Sequence, residues 1–77
     1  MAARELVEVM ARALAEHPED VQVNLVPREH VTVIELHVHP DDLGRVIGRG
    51  GRIVGAMRTV LKAAGRLEGK RLLLEVR

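Results

Sequence analysis

The stretch with the clearest chemical capability is Val46-Ile47-Gly48-Arg49-Gly50-Gly51-Arg52-Ile53. Gly48, Gly50 and Gly51 lack a Cβ, so a sugar-phosphate backbone can come close to the polypeptide backbone there. Arg45, Arg49 and Arg52 place positive charge beside that approach. Leu43, Val46 and Ile47 repeat at helical spacing before the glycines, and Ile53, Met57, Val60, Leu61 and Ala64 do so after them. The glycines therefore join two helices. Gly48 is suited to end the first, and Gly51 lets the chain enter the second with its N–H groups unobstructed. Those open N–H groups and the positive end of the helix dipole both favour an anion. An ordinary helix-helix turn needs one residue with positive φ and has no use for flanking arginines, so the stretch reads as a grip on phosphates.

Other chemistries fit less well. A dinucleotide fingerprint follows a strand and needs a third glycine where Ile53 stands; a Walker A loop needs Gly-Lys-Ser or Gly-Lys-Thr, and Gly55 is followed by Ala56-Met57. Cysteine, serine and tyrosine are absent and no pair of carboxylates sits in an apolar setting, so no enzyme is expected. His37 and His39, with Asp41 and Asp42 nearby, have a spacing that could hold a metal. Two imidazoles on the outer face of a half-exposed sheet are ordinary, however, and neither a metal nor another cofactor is expected. Arg58, Lys62 and Arg66 recur every four residues opposite the apolar face of the second of these helices and read as a solvated stripe. Gly44 suggests close approach of RNA or of a partner backbone, with internal packing as an equal alternative.

The elements that must position the glycines follow from periodicity. Leu6, Val9, Met10, Ala13 and Leu14 share one face of an amphipathic first helix that ends before Pro18. Val21 to Val26 alternates as a strand with Val21, Val23 and Leu25 inward, and Val31 to Val38 alternates with Ile34, Leu36 and Val38 inward. Pro27 to His30 joins them as a hairpin. Val26, Val31, Val33 and Leu73 fall on the outer face and could form an exposed aliphatic patch. Pro40-Asp41-Asp42 opens the short helix that Gly48 stops. The longer helix runs from about Arg52 to Ala64 with Gly65 as its stop, and Arg71 to Val76 closes as a third strand, parallel to the one before the crossover. The order is α-β-β-α-α-β, an α+β fold with a three-stranded mixed sheet covered on one face by three helices. Its 77 residues leave room for one domain, residues 1–77.

Charge is segregated along the chain. Residues 1–42 hold three Arg against nine Asp or Glu, a net of −6, while residues 43–77 hold nine Arg or Lys against two Glu, a net of +7. The basic half contains the glycines, which points to a polyanion on one face. Aromatic side chains are wholly absent, which disfavours binders that stack bases on Phe, Tyr or Trp. The missing cysteines exclude a disulfide framework, and no signal peptide or membrane-spanning run is recognisable, so a cytoplasmic protein is expected.

Val46-Ile47-Gly48-Arg49-Gly50-Gly51 resembles the VIGxxG core of the KH domain, whose GXXG loop clamps about four nucleotides of single-stranded nucleic acid. In length and motif position the whole chain is similar to the KhpA family of small bacterial single-KH RNA-binding proteins, and the element order is that of a type II KH domain. The resemblance implies non-catalytic binding of single-stranded RNA, as an RNA chaperone or post-transcriptional regulator. The expected site is Arg45, Val46, Ile47, Gly48, Arg49, Gly50, Gly51, Arg52 and Ile53, with Val46, Ile47, Ile53 and part of the second strand lining an aliphatic groove for bases. It also implies a homodimer and a heteromer with a KhpB-like RNA-binding protein, neither of which composition or spacing shows. Two readings stay open beside it: single-stranded DNA binding, because phosphates do not report the 2′-hydroxyl, and a protein-interaction module that has lost RNA binding.

Overall fold

The computed structural model describes residues 2–77. Helix α1 (Ala3–Leu14) is followed by a 3-10 turn at Pro18–Asp20, strands β1 (Gln22–Pro27) and β2 (Thr32–His37), and a second 3-10 turn at Pro40–Asp42. Helix α2 (Leu43–Ile47), a third turn at Arg49–Gly51, helix α3 (Arg52–Glu68) and strand β3 (Leu72–Val76) complete the chain. Strand β2 is central, antiparallel to β1 and parallel to β3. The mixed α+β architecture and the α-β-β-α-α-β order are those expected.

The core lies between the sheet and the helices. Val7 and Ala11 of α1, Val23 of β1, Ile34 and Leu36 of β2, Val46 of α2, Val54, Met57 and Leu61 of α3, and Leu74 of β3 are buried together. Ile34 sits at its middle, opposite Leu25 on one side and Leu74 on the other. Full burial of such a side chain contributes about 1.5–3 kcal/mol. With no large aromatic to fill space, the helices are seated by small and β-branched side chains: Ala11 and Val7 are both completely buried. Both sheet edges carry an arginine bonded to the strand backbone, Arg4 Nε to the Val23 carbonyl (3.0 Å) and Arg58 Nη2 to the Leu74 carbonyl (3.2 Å). Such occupation blunts an edge against pairing with another strand.

Several expectations are corrected. Leu25 is on the helix side of β1 but 47% exposed, because it lies at a gap between the start of α1 and the end of α3, beside Ala3, Glu68 and Leu72. Val33 is on the outer face yet only 6% exposed, since central β2 places it between Val26 and Leu73, which cover it from both sides. The outer aliphatic patch is correspondingly smaller than expected.

Helix α3 does not stop at Gly65. It continues to Glu68 and ends on Gly69 in the left-handed conformation (φ 68°, ψ 30°). Gly65 instead provides close approach: its carbonyl accepts the Lys70 N–H at 2.7 Å, and a Cβ there would lie 2.5 Å from the Lys70 carbonyl oxygen. The glycine that lets the chain fold back is inside the helix, one turn before the glycine that ends it.

Asp42 is also used differently from expectation. It makes no side-chain cap to α2; its buried carboxylate accepts the backbone N–H groups of Glu16 (3.0 Å) and His17 (2.9 Å), pinning the α1–β1 loop. Burial alone would raise its pKa, but those two hydrogen bonds, with the charges of His17 and Arg45, hold it below the ordinary carboxylate value.

Candidate nucleic-acid interface

The loop between α2 and α3 is built by glycine conformations. Gly48 ends α2 at φ 77° and ψ 166°, Gly50 has φ 64°, and Gly51 enters α3 at φ 76°, whereas Arg49 between them keeps a negative φ. A Cβ on Gly48 would lie 2.7 Å from Ile53 Cγ1 and 2.9 Å from the Ile53 nitrogen, so the loop closes directly on the first turn of α3. At Gly50 and Gly51 a Cβ would meet nothing within 4 Å. Their backbone is therefore open from outside, at the N-terminus of a 17-residue helix. Such a terminus carries partial positive charge, and of its leading N–H groups those of Gly51 and Arg52 are already taken by the Gly48 and Arg49 carbonyl oxygens.

The arginines divide. Arg49 and Arg52 are exposed, and neither has an ion pair or side-chain hydrogen bond among the described residues. Arg45 is held by the Glu16 carboxylate and lies 3.8 Å from Asp42 Oδ1, so its charge is already answered. Val46 is completely buried as part of the core and cannot line a groove as expected. Ile47 and Ile53 are half-buried beside the glycines. Gly44 is exposed with nothing within 4 Å of a built Cβ, which removes internal packing as its explanation.

Farther along α3, from Arg58 to its C-terminal end, an open cleft of about 340 Å³ lies between α3 and β3. Its floor is Leu61, Leu72 and Leu73, and its walls carry Arg58, Lys62, Arg66, Lys70 and Arg71. The stripe read as solvated thus faces a concave apolar floor, and Lys70 and Arg71, missed from sequence, close its far end. Their signal was the Gly-Lys-Arg run where the helix turns into β3, which brings those two charges back towards Arg66. The cleft borders β3 and not the second strand, because β2 is enclosed by hydrogen bonds on both sides and only β3 has a free edge here.

The histidines do not share a strand face. His37 ends β2 beside Glu35, while His39 precedes the Pro40 turn and stacks on His17 at 4.1 Å between ring centroids. His17, His39 and Asp41 form a group within reach of a common ion, but His39 Nδ1 already accepts the Asp41 N–H at 3.0 Å. Among the described residues no helix is long and apolar enough to cross a membrane.

Residues 4–76 match the family model described as the KH domain of KhpA/KhpB. The chain belongs to the KhpA/KhpB KH-domain family. It is 49% identical over 73 residues to the RNA-binding protein KhpA of Clostridium perfringens, covering 95% of this chain and 97% of that one. It is 45% identical over 75 residues to the RNA-binding protein KhpA of Aquifex aeolicus, covering 97% and 95%. Among solved structures it is similar to Era in complex with MgGDPNP and nucleotides 1506–1542 of 16S ribosomal RNA, with a TM-score of 0.65, 21% identity, and coverage of 96% of this chain and 28% of that one. At that identity the likeness speaks to fold, and the fold is the KH fold. Gly48-Arg49-Gly50-Gly51 lies between helices α2 and α3.

Proposed function

We propose that residues 1–77 act as one KH domain that binds single-stranded RNA without catalysis. Phosphates sit over Gly48 to Gly51, and bases lie along the cleft between α3 and β3. The observation that carries this reading is the sequence of positive-φ glycines opening onto the N-terminus of α3, beside the unpaired Arg49 and Arg52. The relatives named as RNA-binding proteins support it. Ile47 and Ile53 flank the grip, Val46 seats it from the core, and Arg45 orients it through Glu16. A cytoplasmic location and a role as RNA chaperone or post-transcriptional regulator belong to this reading. Titration with an oligouridylate and its deoxy counterpart over a range of salt tests the reading. Salt-sensitive binding that is tighter for RNA is expected; failure of both oligomers favours a protein-interaction module.

Self-association is the second part of this proposal. Ala56, Val60, Ala63 and Leu67 are all exposed on α3, Val60 by 43% and Leu67 by 90%, and their 4-3-4 spacing draws them into one stripe. The stripe lies on the side of α3 away from Arg58, Lys62 and Arg66, so a homodimer formed through it leaves the cleft open. The same stripe would serve a heteromer with a KhpB-like protein. Sedimentation equilibrium should show a dimer at micromolar concentration. Val60→Asp with Leu67→Asp should weaken it about tenfold or more, since each loses a burial term of roughly 1.5–3 kcal/mol. A single monomer mass at every concentration would defeat the dimer.

A further inference from the structure

The free edge of β3 has lost one of its acceptors to a side chain. The Arg71 carbonyl accepts the Thr32 N–H, and Arg77 both donates to Leu36 and accepts from Val38. The odd-numbered residues of β3 therefore face β2, and Leu72, Leu74 and Val76 turn their N–H and C=O groups to the free edge, where Leu72 lines the cleft. There the Leu74 carbonyl is occupied by Arg58 Nη2 at 3.2 Å. Leu74 itself is buried, so what remains at that point is the other guanidinium N–H groups of Arg58, all donors. No carboxylate lines the cleft to offset them.

We propose that Arg58 is a specificity-determining residue that selects guanine over adenine and uracil for the base lying against this edge. The inference rests on the RNA-binding reading above. Guanine presents two adjacent acceptors, N7 and O6, with no donor between them, and a guanidinium is the group that matches them bidentately. Adenine replaces O6 with an amino group, which needs an acceptor where Arg58 already holds the Leu74 carbonyl. Cytosine also presents two adjacent acceptors, O2 and N3, so the fork accepts it as well, whereas uracil flanks each carbonyl with a ring N–H and matches less well. Anchoring one arm of Arg58 on the strand also fixes the fork before the base arrives, which reduces the ordering cost of binding.

The test uses oligouridylate heptamers whose central base is uracil, guanine, adenine or 7-deazaguanine, titrated against the 77-residue chain and an Arg58→Lys variant. Guanine should bind about tenfold tighter than adenine, and 7-deazaguanine, which lacks N7, should lose most of that advantage. Arg58→Lys keeps the charge without the fork. Whatever its effect on overall affinity, its guanine-to-adenine ratio should fall to about one. Equal affinity of the wild type for guanine and adenine, or an unchanged ratio in a folded Arg58→Lys, overturns the assignment and leaves the RNA reading standing. Failure to bind any heptamer overturns the RNA reading as well. The 7-deazaguanine comparison needs no change in the protein, so it decides the matter even where the variant fails to fold.

Discussion

Replacing Arg49 and Gly50 with aspartates should abolish RNA binding, with affinity falling about 100-fold or more, while the fold survives. Both positions are exposed, and nothing lies within 4 Å of a Cβ built on Gly50. Gly50 has φ 64° and ψ 19°, a left-handed conformation that Asp adopts more readily than most residues. The strain should therefore cost only about 1–2 kcal/mol. Binding loses far more. One attractive charge disappears and two repulsive ones appear at the phosphate, each worth between about 1 kcal/mol in water and about 4 kcal/mol at a protein surface. Three such terms amount to at least about two factors of ten. The checks are an RNA titration and a thermal melt of the same preparation. Wild-type affinity in the variant would mean that phosphates are held elsewhere, with the cationic cleft between α3 and β3 as the next place to look.

Gly48→Ala should have the largest effect on stability of any single methyl addition in the loop. Its φ of 77° with ψ of 166° belongs to a region essentially closed to residues with a Cβ, where occupancy costs on the order of 1–3 kcal/mol. The new Cβ would also meet Ile53 Cβ and the Ile53 nitrogen, both at 2.9 Å, and the backbone atom cannot swing aside. Overpacking of this kind adds about 1–3 kcal/mol. A summed loss near 4 kcal/mol would be a large fraction of the stability of a chain this small. Chemical denaturation measures it directly. Gly50→Ala and Gly51→Ala, which face open space, serve as controls carrying strain alone. Equal losses at all three positions would show that the contact with Ile53 is not what distinguishes Gly48.

The contrast between Gly48 and Gly65 shows where sequence reading reached its limit. Gly48 sits between two helical patterns, so local periodicity alone required a break there. Gly65 and Gly69 lie four residues apart near the end of one pattern, and either could stop a helix. The choice is made by Lys70, whose N–H returns to the Gly65 carbonyl only after the chain has turned. The strand errors have the same origin. Alternation identified the faces correctly, but burial depends on neighbours: Val33 is covered by flanking strands, and Leu25 is left bare by the spacing of two helices. Charges were hardest to read. Arg45, Arg49 and Arg52 look equivalent in sequence, yet Glu16, held close by the Asp42 pin on its own N–H, occupies the first alone.

The most direct test of the phosphate grip is the salt dependence of oligouridylate binding. Two to four phosphate contacts near the glycines predict a slope of log affinity against log salt of about −1.5 to −3 for a single strand. In Arg49→Gln with Arg52→Gln, the loss of two contacts should flatten that slope by about 1.4. The same slope in wild type and variant, or a wild-type slope near zero, would contradict the grip.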